Sequence, residues 1–458
     1  MAGLRVIAIF DVGKTNKKLF LFDEHYRIVY EKTARFLETR DEDGDVCENL
    51  DSIRISVFES LNEVLRNEEY ELVAINFSTY GASLVYLDEN GQPLTPLYNY
   101  LKDYPSELEQ QFYNQYGGKT QMALETSSPA SGSLNAGLQL YRIKYQHPEV
   151  FKEIRYTLHL PQYVSYLISG KIYSDMTSIG CHTQLWDFRK QQYHNWVVQE
   201  ELEKLLPPIM RSDEVIETTF MGKRYIVGAG LHDSSAALIP YQASFSEPFI
   251  LLSTGTWCIS MNPFNASPLT AEELENDCLA YIGYHGKPVK ASRLFSGNEH
   301  EQQVKRIAAA FDVDALIFRN MEYEPEIIAR LTNQSASSTL ACGKSSAFES
   351  RDLAAFRNAT EAYHQLILDL VDLQFRSTSL IMNGTPIKKI FVDGGFSKNA
   401  IYMNLLALAF PYIEVYAAAM AQATALGTAI AIHKHWNRKP LANDIIALKF
   451  YSVKNQVL

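Results

Sequence analysis

Four short segments of the chain combine residue types that can hold phosphate or move a proton. Asp11-Val12-Gly13-Lys14-Thr15-Asn16 joins a carboxylate, a glycine and a lysine, with further lysines at 17 and 18. A tight turn of this kind offers backbone N–H groups as an anion-binding nest, to which Lys14 adds a point charge. Asp11 supplies the oxygen ligand that a hard cation such as Mg²⁺ takes. Ser253-Thr254-Gly255-Thr256 presents hydroxyls and N–H groups in a second turn. In Asp393-Gly394-Gly395-Phe396-Ser397 the paired glycines let a ligand approach the backbone closely. Each turn alone reads equally well as an ordinary surface turn built from the usual turn residues. Three of them, each following an apolar strand, point to a nucleoside triphosphate lying between two halves. The pattern is not a P-loop, because Gly-x4-Gly-Lys-Ser/Thr occurs nowhere in the chain.

The fourth segment is His232-Asp233 before Ser234-Ser235-Ala236-Ala237, where a helix begins. As a helix cap, Asp233 or Ser234 would contribute about 0.5–2 kcal/mol. As a general base, Asp233 would accept the proton of a hydroxyl during phosphoryl transfer, a reaction that needs alignment and charge neutralisation more than covalent chemistry. The phosphate-type turns around it favour the base.

These residues need elements to hold them. Residues 5–10 and Lys18–Phe22 read as a strand hairpin around the first turn, followed by a helix over 53–65 and a strand Leu72–Phe77. Ser83–Leu87 and Lys223–Val227 read as further strands, Leu138–Tyr145 as a helix, and Pro161 and Gly170 as the start and stop of another. At Pro248 the opening pattern repeats: strand Phe249–Leu252, a hydroxyl-rich turn, and strand Trp257–Met261. Leu380–Asn383 and Lys389–Val392 are expected to be strands, with a helix over Ala400–Ala409, a short strand Ile413–Val415 and an Ala-rich buried helix in the charge-free run 415–432. Alternation of this kind is α/β architecture in two related halves, 1–245 and 246–458.

Composition sets the outer limits. The chain has 458 residues, 47% hydrophobic and 21% charged, which excludes disordered and collagen-like classes. Its net charge of −11, with no basic run among aromatics, excludes a nucleic-acid footprint. The five scattered cysteines form neither a disulfide framework nor a zinc site. The first residues lack the long apolar region of a secretory leader, and no segment reads as membrane-spanning, so a cytoplasmic protein is expected. Monomer and homodimer are both left open.

With these residues in hand, the chain resembles the FGGY family of carbohydrate kinases, within the actin/hexokinase/Hsp70 fold group. The resemblance rests on Asp11-Val12-Gly13-Lys14-Thr15, Gly230-Leu231-His232-Asp233, Ser253-Thr254-Gly255-Thr256-Trp257, Asp393 to Asn399, and Ala423 to Ala429. It implies two ribonuclease-H-like (actin-like ATPase) domains flanking a deep cleft, with ATP and Mg²⁺ as cofactors. It implies Asp233 as general base and Asp11 as the magnesium-associated carboxylate. Gly13, Lys14, Thr15, Asn16, Thr254, Gly255, Thr256, Gly394, Gly395 and Asn399 then lie on the nucleotide side. Thr79, Tyr80, Gly81, Asn99, Tyr100, His232 and Trp257 lie on the sugar side. Thr79-Tyr80-Gly81 is similar to the Thr-Trp-Gly of rhamnulose kinases, which implies phosphorylation at O1 of a 6-deoxy ketohexose such as L-rhamnulose or L-fuculose. Xylulose, a polyol, or a non-catalytic nucleotide-binding role are the alternatives. The chain departs from the family at Lys14, where Thr is usual, and at Tyr98-Asn99-Tyr100, where Trp-x-Asp or Tyr-x-Asp is common.

Overall fold

The computed structural model describes residues 3–14, 17–335, 345–420, 422–442 and 445–452, so the expected phosphate contacts Thr15 and Asn16 lie outside the described residues. Val6 to Phe10 are all buried, as expected for a central strand covered on both faces. That strand, Leu4–Val12, pairs antiparallel with Lys17–Asp23 and parallel with Tyr70–Thr79. The first sheet runs Val215–Phe220, Lys223–Gly228, Tyr70–Thr79, Leu4–Val12, Lys17–Asp23, Ile28–Thr33, and Leu231–His232 also pairs with Tyr70–Thr79. The register puts three chain segments side by side at one edge: Asp11 opposite Ser78, and His232 opposite Thr79.

The second sheet repeats the scheme. Phe249–Thr254 pairs antiparallel with Cys258–Asn262 and parallel with Lys389–Gly394, so that Thr254 faces Gly394. Cys278–Ile282 and Pro288–Leu294 extend it on one side, Glu414–Ala419 and Ala447–Tyr451 on the other. In each half, two parallel strands follow an antiparallel hairpin, and the loops after the parallel strands carry the candidate residues.

The helix Asp233–Ser244 lies between the halves. Ala236 and Ile239 pack with Ile7, Ile9 and Phe20 of the first sheet, while Leu238 and Tyr241 pack with Phe249, Leu251 and Phe391 of the second. The helix Ala423–Ala431, although late in the chain, packs on the first sheet, where Asn76 Nδ2 donates to the Thr428 carbonyl at 2.9 Å. A Cβ on Gly427 would stand 1.9 Å from the Ala236 carbonyl oxygen, so only glycine permits this contact.

Two expectations are corrected. Leu380–Asn383 is not a strand: residues 380–382 close the 24-residue helix Ala359–Met382, whose buried positions Leu366, Leu370, Gln374, Ser377 and Ile381 keep helical spacing to the end. The charge-free run 415–432 is not one helix. It divides into the strand Glu414–Ala419 and the helix Ala423–Ala431, with Gln422 at φ 65 before the helix. Among the described residues, no helix is long and apolar enough to cross a membrane. Cys47, Cys181, Cys258 and Cys278 are free and buried.

Candidate active site

Asp233 is the first residue of its helix; the preceding His232 occupies the cap position without a side-chain capping bond. Asp233 Oδ1 accepts from its neighbour's backbone, Ser234 N, at 2.6 Å, and from Ser234 Oγ at 3.3 Å. His232 Nε2 lies 3.1 Å from the same oxygen and 3.0 Å from Cys181 Sγ. Burial pushes the His232 imidazole below its ordinary range, against the attraction of Asp233. The hydrogen bond of Nε2 is with Cys181 Sγ, so the ring stands beside Asp233 Oδ1 without a described hydrogen bond to it, and Nδ1 is buried without a partner among the described residues. Every described hydrogen bond to this carboxylate falls on Oδ1. Oδ2 is left without one among the described residues, and the side chain is one-third exposed.

Asp11 lies at the same edge of the sheet, near enough to feel the charge of Asp233. Burial and then the negative charge of Asp233 push the Asp11 carboxyl up to about 6, opposed by the Ser78 hydroxyl, which donates to Oδ1 at 3.1 Å, and by Lys18. Two carboxylates held close enough to repel provide hard oxygen donors at a site where a divalent cation would relieve the repulsion. The residues therefore fit Mg²⁺. A second acidic group, Asp41, Asp43 and Asp45, does not call for a metal, because Lys102 Nζ already sits 2.6, 2.7 and 3.0 Å from the three carboxylates.

The expected sugar-side residues divide. Tyr80 and Tyr100 pack with ring centroids 5.7 Å apart, and the charges of Asp233 and Glu48 add to the burial that raises the Tyr100 phenol. Gly81 passes directly beneath His232: a Cβ there would lie 3.0 Å from the ring. Thr79 is buried, its hydroxyl donating to the Tyr80 carbonyl at 2.8 Å. Asn99 shapes its own loop, with Oδ1 accepting from Leu101 N at 3.1 Å. Trp257 packs on Phe295 under Arg293, whose charge is felt by Cys181 and His182; none of its described ring contacts is with Tyr80 or Tyr100. The Lys14 ammonium, expected at phosphate, stands 5.4 Å from the centroids of both the Tyr80 and the Tyr100 ring.

On the other half, two turns are laced together. Thr254 Oγ1 donates to the Asp393 carbonyl at 2.5 Å and accepts from Phe396 N at 3.0 Å, and Gly395 N donates to the Thr254 carbonyl at 2.7 Å. Gly394 has φ +89 and abuts the Thr254 carbonyl, where a Cβ would be 2.0 Å away. Beside them opens a cavity of about 720 Å³ lined by Thr254, Gly255, Thr256, Gly395 and Asn399, with His300, Phe318 and Tyr363 on its wall. Its aromatic wall and glycine-lined floor suit a flat base carrying phosphates.

A model described as the FGGY family of carbohydrate kinases, N-terminal domain, matches residues 6–239, and one described as carbohydrate kinase FGGY, C-terminal domain, matches 246–440. The chain belongs to the FGGY family of carbohydrate kinases. Among curated relatives, a rhamnulokinase of Halalkalibacterium halodurans is 24% identical over 265 residues, and one of Oceanobacillus iheyensis is 21% identical over 227. These matches cover 54% and 46% of this chain, and span about half the length of each relative, 54% and 46%. A rhamnulokinase of Mannheimia succiniciproducens is 22% identical over 451 residues, 92% of this chain and 88% of that protein. Two solved structures share the fold. A carbohydrate kinase from Novosphingobium aromaticivorans superposes with TM-score 0.77 at 22% identity, covering 98% of this chain and 94% of that one. A ligand-bound xylulose kinase from Lactobacillus acidophilus gives TM-score 0.76 at 16% identity, with the same coverage.

Within this FGGY chain, several site-forming residues escape a reading of the sequence. His300 Nε2 lies 3.0 Å from the Tyr363 hydroxyl, which accepts from Asn399 Nδ2 at 2.8 Å. Burial lowers the His300 imidazole to about 4, so the cavity wall carries it as a neutral hydrogen-bonding ring. Glu48, on the short strand Val46–Glu48, accepts from the Tyr80 hydroxyl at 2.7 Å and pairs with Lys17 at 3.0 Å. His300 lies in the helix Ser296–Phe311, whose Gly297 packs so near Gly255 that an added Cβ would collide with the Gly255 carbonyl oxygen, and no local motif marks it in the sequence.

Proposed function

We propose that the protein transfers the γ-phosphoryl group of ATP to a sugar hydroxyl, O1 of a deoxy ketohexose such as L-rhamnulose or L-fuculose. The observation that carries the reading is the Asp233 carboxylate, with Oδ1 held by Ser234 and packed against His232, Oδ2 without a hydrogen bond among the described residues, and Asp11 near enough to feel its charge. Thr79-Tyr80-Gly81 and the rhamnulokinase relatives support the choice of acceptor. The repeated sheet order supports two ribonuclease-H-like units, divided near residue 245, that close over the reactants.

Thr254, Gly255, Thr256, Gly394, Gly395 and Asn399 form the nucleotide side, where backbone N–H groups and hydroxyls orient the phosphates. Asp233 Oδ2 takes the proton of the attacking hydroxyl as the oxygen approaches phosphorus. Ser234 N–H keeps the carboxylate aimed by donating to Oδ1, with the His232 ring packed beside the same oxygen. Asp11 would hold Mg²⁺, directly or through water; when bound, the ion neutralises charge on the transferring phosphates. Closure of the halves would exclude water, which otherwise competes with the sugar for the phosphoryl group.

The test is ADP release over a panel of ketoses and polyols, with ATP hydrolysis in the absence of sugar as control. Release that depends on a ketose, and is lost in Asp233→Asn, is the expected result. Release at the same rate without sugar, or an undiminished Asn variant, refutes the proposal, and turnover confined to xylulose or glycerol reassigns the acceptor.

A further inference from the structure

We infer that Lys14 binds the acceptor substrate rather than the triphosphate, receiving an electron-rich oxygen, the carbonyl of a ketose or the carboxylate of a sugar acid. The inference rests on the kinase reading above and adds a specificity-determining residue to it. The backbone of the turn is fixed from below: Lys17 Nζ donates to the Lys14 carbonyl at 2.9 Å and pairs with Glu48 Oε1 at 3.0 Å. Glu48 Oε2 accepts from Tyr80 OH, so this carboxylate is committed to Lys17 and Tyr80. The Lys14 side chain instead crosses the aromatic wall, with its ammonium 5.4 Å from the centroids of Tyr80 and Tyr100. Gly81, next to Tyr80, lies under the ring of His232, the residue before Asp233, and Tyr100 feels the Asp233 charge, so this wall is near that carboxylate, while neither ring lines the nucleotide cavity.

The chemistry of the group then narrows what it binds. Two ring faces stabilise an ammonium and displace part of its water, but they accept none of its three N–H donors in the plane of an oxygen lone pair. Among the described residues no carboxylate lies within salt-bridge distance of Lys14, although Lys17 and Lys18, its neighbours in the hairpin, both have one. The nucleotide cavity is lined by other cations, Lys305, Arg319 and Lys398, and Lys14 is not in its wall. An ammonium held against two rings without a carboxylate partner among the described residues is completed by an oxygen of the acceptor. Position 14 would thereby discriminate acceptors that carry such an oxygen from simple polyols.

The deciding experiment uses the full-length protein and Lys14→Met, which keeps the length of the side chain and removes its charge. Steady-state kinetics are measured against ketoses in one arm and aldonates in the other, and MgADP affinity is measured by calorimetry without any acceptor. The expected result is a rise of about tenfold or more in acceptor KM, equivalent to about 1.4 kcal/mol, with MgATP KM and MgADP Kd unchanged. A larger loss in the aldonate arm identifies a carboxylate as the partner, and a loss confined to ketoses identifies a carbonyl. Weaker MgADP binding, or a raised MgATP KM with the acceptor KM unmoved, overturns the inference, as does a variant with wild-type constants. If the wild-type protein phosphorylates nothing in either arm and no polyol, the kinase reading fails separately. Tryptophan-fluorescence or calorimetric titration with the same ketoses and aldonates then decides Lys14: binding weakened in Lys14→Met supports its role, and no difference from wild type refutes it.

Discussion

His232 Nε2 stands 3.1 Å from Asp233 Oδ1, and the second oxygen of that carboxylate makes no hydrogen bond among the described residues. A carboxylate serving only to cap a helix would turn an oxygen to the N–H groups one turn in; this one is anchored on one side and open on the other. Asp233→Asn separates the two roles, because asparagine caps helices about as well as aspartate. The expected outcome is a fall in kcat of about 10²–10⁴ with thermal stability and MgATP affinity retained, read by coupled ADP release and calorimetry. An unchanged kcat with an unchanged Tm would return Asp233 to a capping role.

How much of this could be read in the sequence depends on whether the signal was local. The strand hairpin around Asp11, the turn at Thr254 and the helix Ala400–Ala409 behind its Asn399 cap all follow from neighbouring residues: apolar runs, glycines and a capping side chain. The end of the helix Ala359–Met382 was obscured because Leu380, Ile381 and Met382 are apolar in succession, and a short apolar run fits a strand as well as a helix. The meeting of Lys14 with Tyr80 and Tyr100, and of His300 with Tyr363 and Asn399, joins residues tens of positions apart. No periodicity encodes such contacts. They exist because the sheet register sets distant loops beside each other.

The two halves are joined at a point that tolerates no added atom. A Cβ on Gly427 would meet the carbonyl oxygen of Ala236 at 1.9 Å, and backbone oxygen in a helix cannot rotate aside. Gly427→Ala should therefore cost about 1–3 kcal/mol, the range for overpacking a well-filled core. Because Ala236 lies three residues beyond Asp233, the same variant should lower kcat as its helix shifts. Thermal unfolding and kinetics on one preparation check both effects; an unchanged Tm means that the helices separate without strain.

His300 offers a test confined to the nucleotide side. Its ring ties the helix Ser296–Phe311 to Tyr363, and through it to Asn399, along the wall of the 720 Å³ cavity. His300→Ala is expected to raise MgATP KM about tenfold, close to 1.4 kcal/mol, and to leave the acceptor KM as it was. That is the reverse of the pattern expected for Lys14→Met, so the pair of variants maps the two substrates onto different walls. Equal effects of His300→Ala on both constants would show that the cavity is not dedicated to the nucleotide.

Acid should destabilise the fold through buried imidazoles. Burial holds His159 and His182 down at about 3 and His300 at about 4, against about 6.5 for a free histidine. The unfolded chain therefore binds protons that the folded chain refuses, and stability must fall as pH falls. The contribution is fully present above about pH 6.5 and is lost progressively as pH drops from there towards the folded values near 3 to 4. His159 is the clearest case: it is 2% exposed and neither ring nitrogen has a partner among the described residues. At pH 5 it alone should cost about 2 kcal/mol relative to neutral pH. His159→Leu removes the titrating group and two unpaired polar atoms together, so the variant should match or exceed wild-type stability at pH 7.5 and show a flatter decline to pH 5. Denaturant midpoints at the two pH values supply the measurement, and parallel declines in variant and wild type would clear His159 of any part in acid sensitivity.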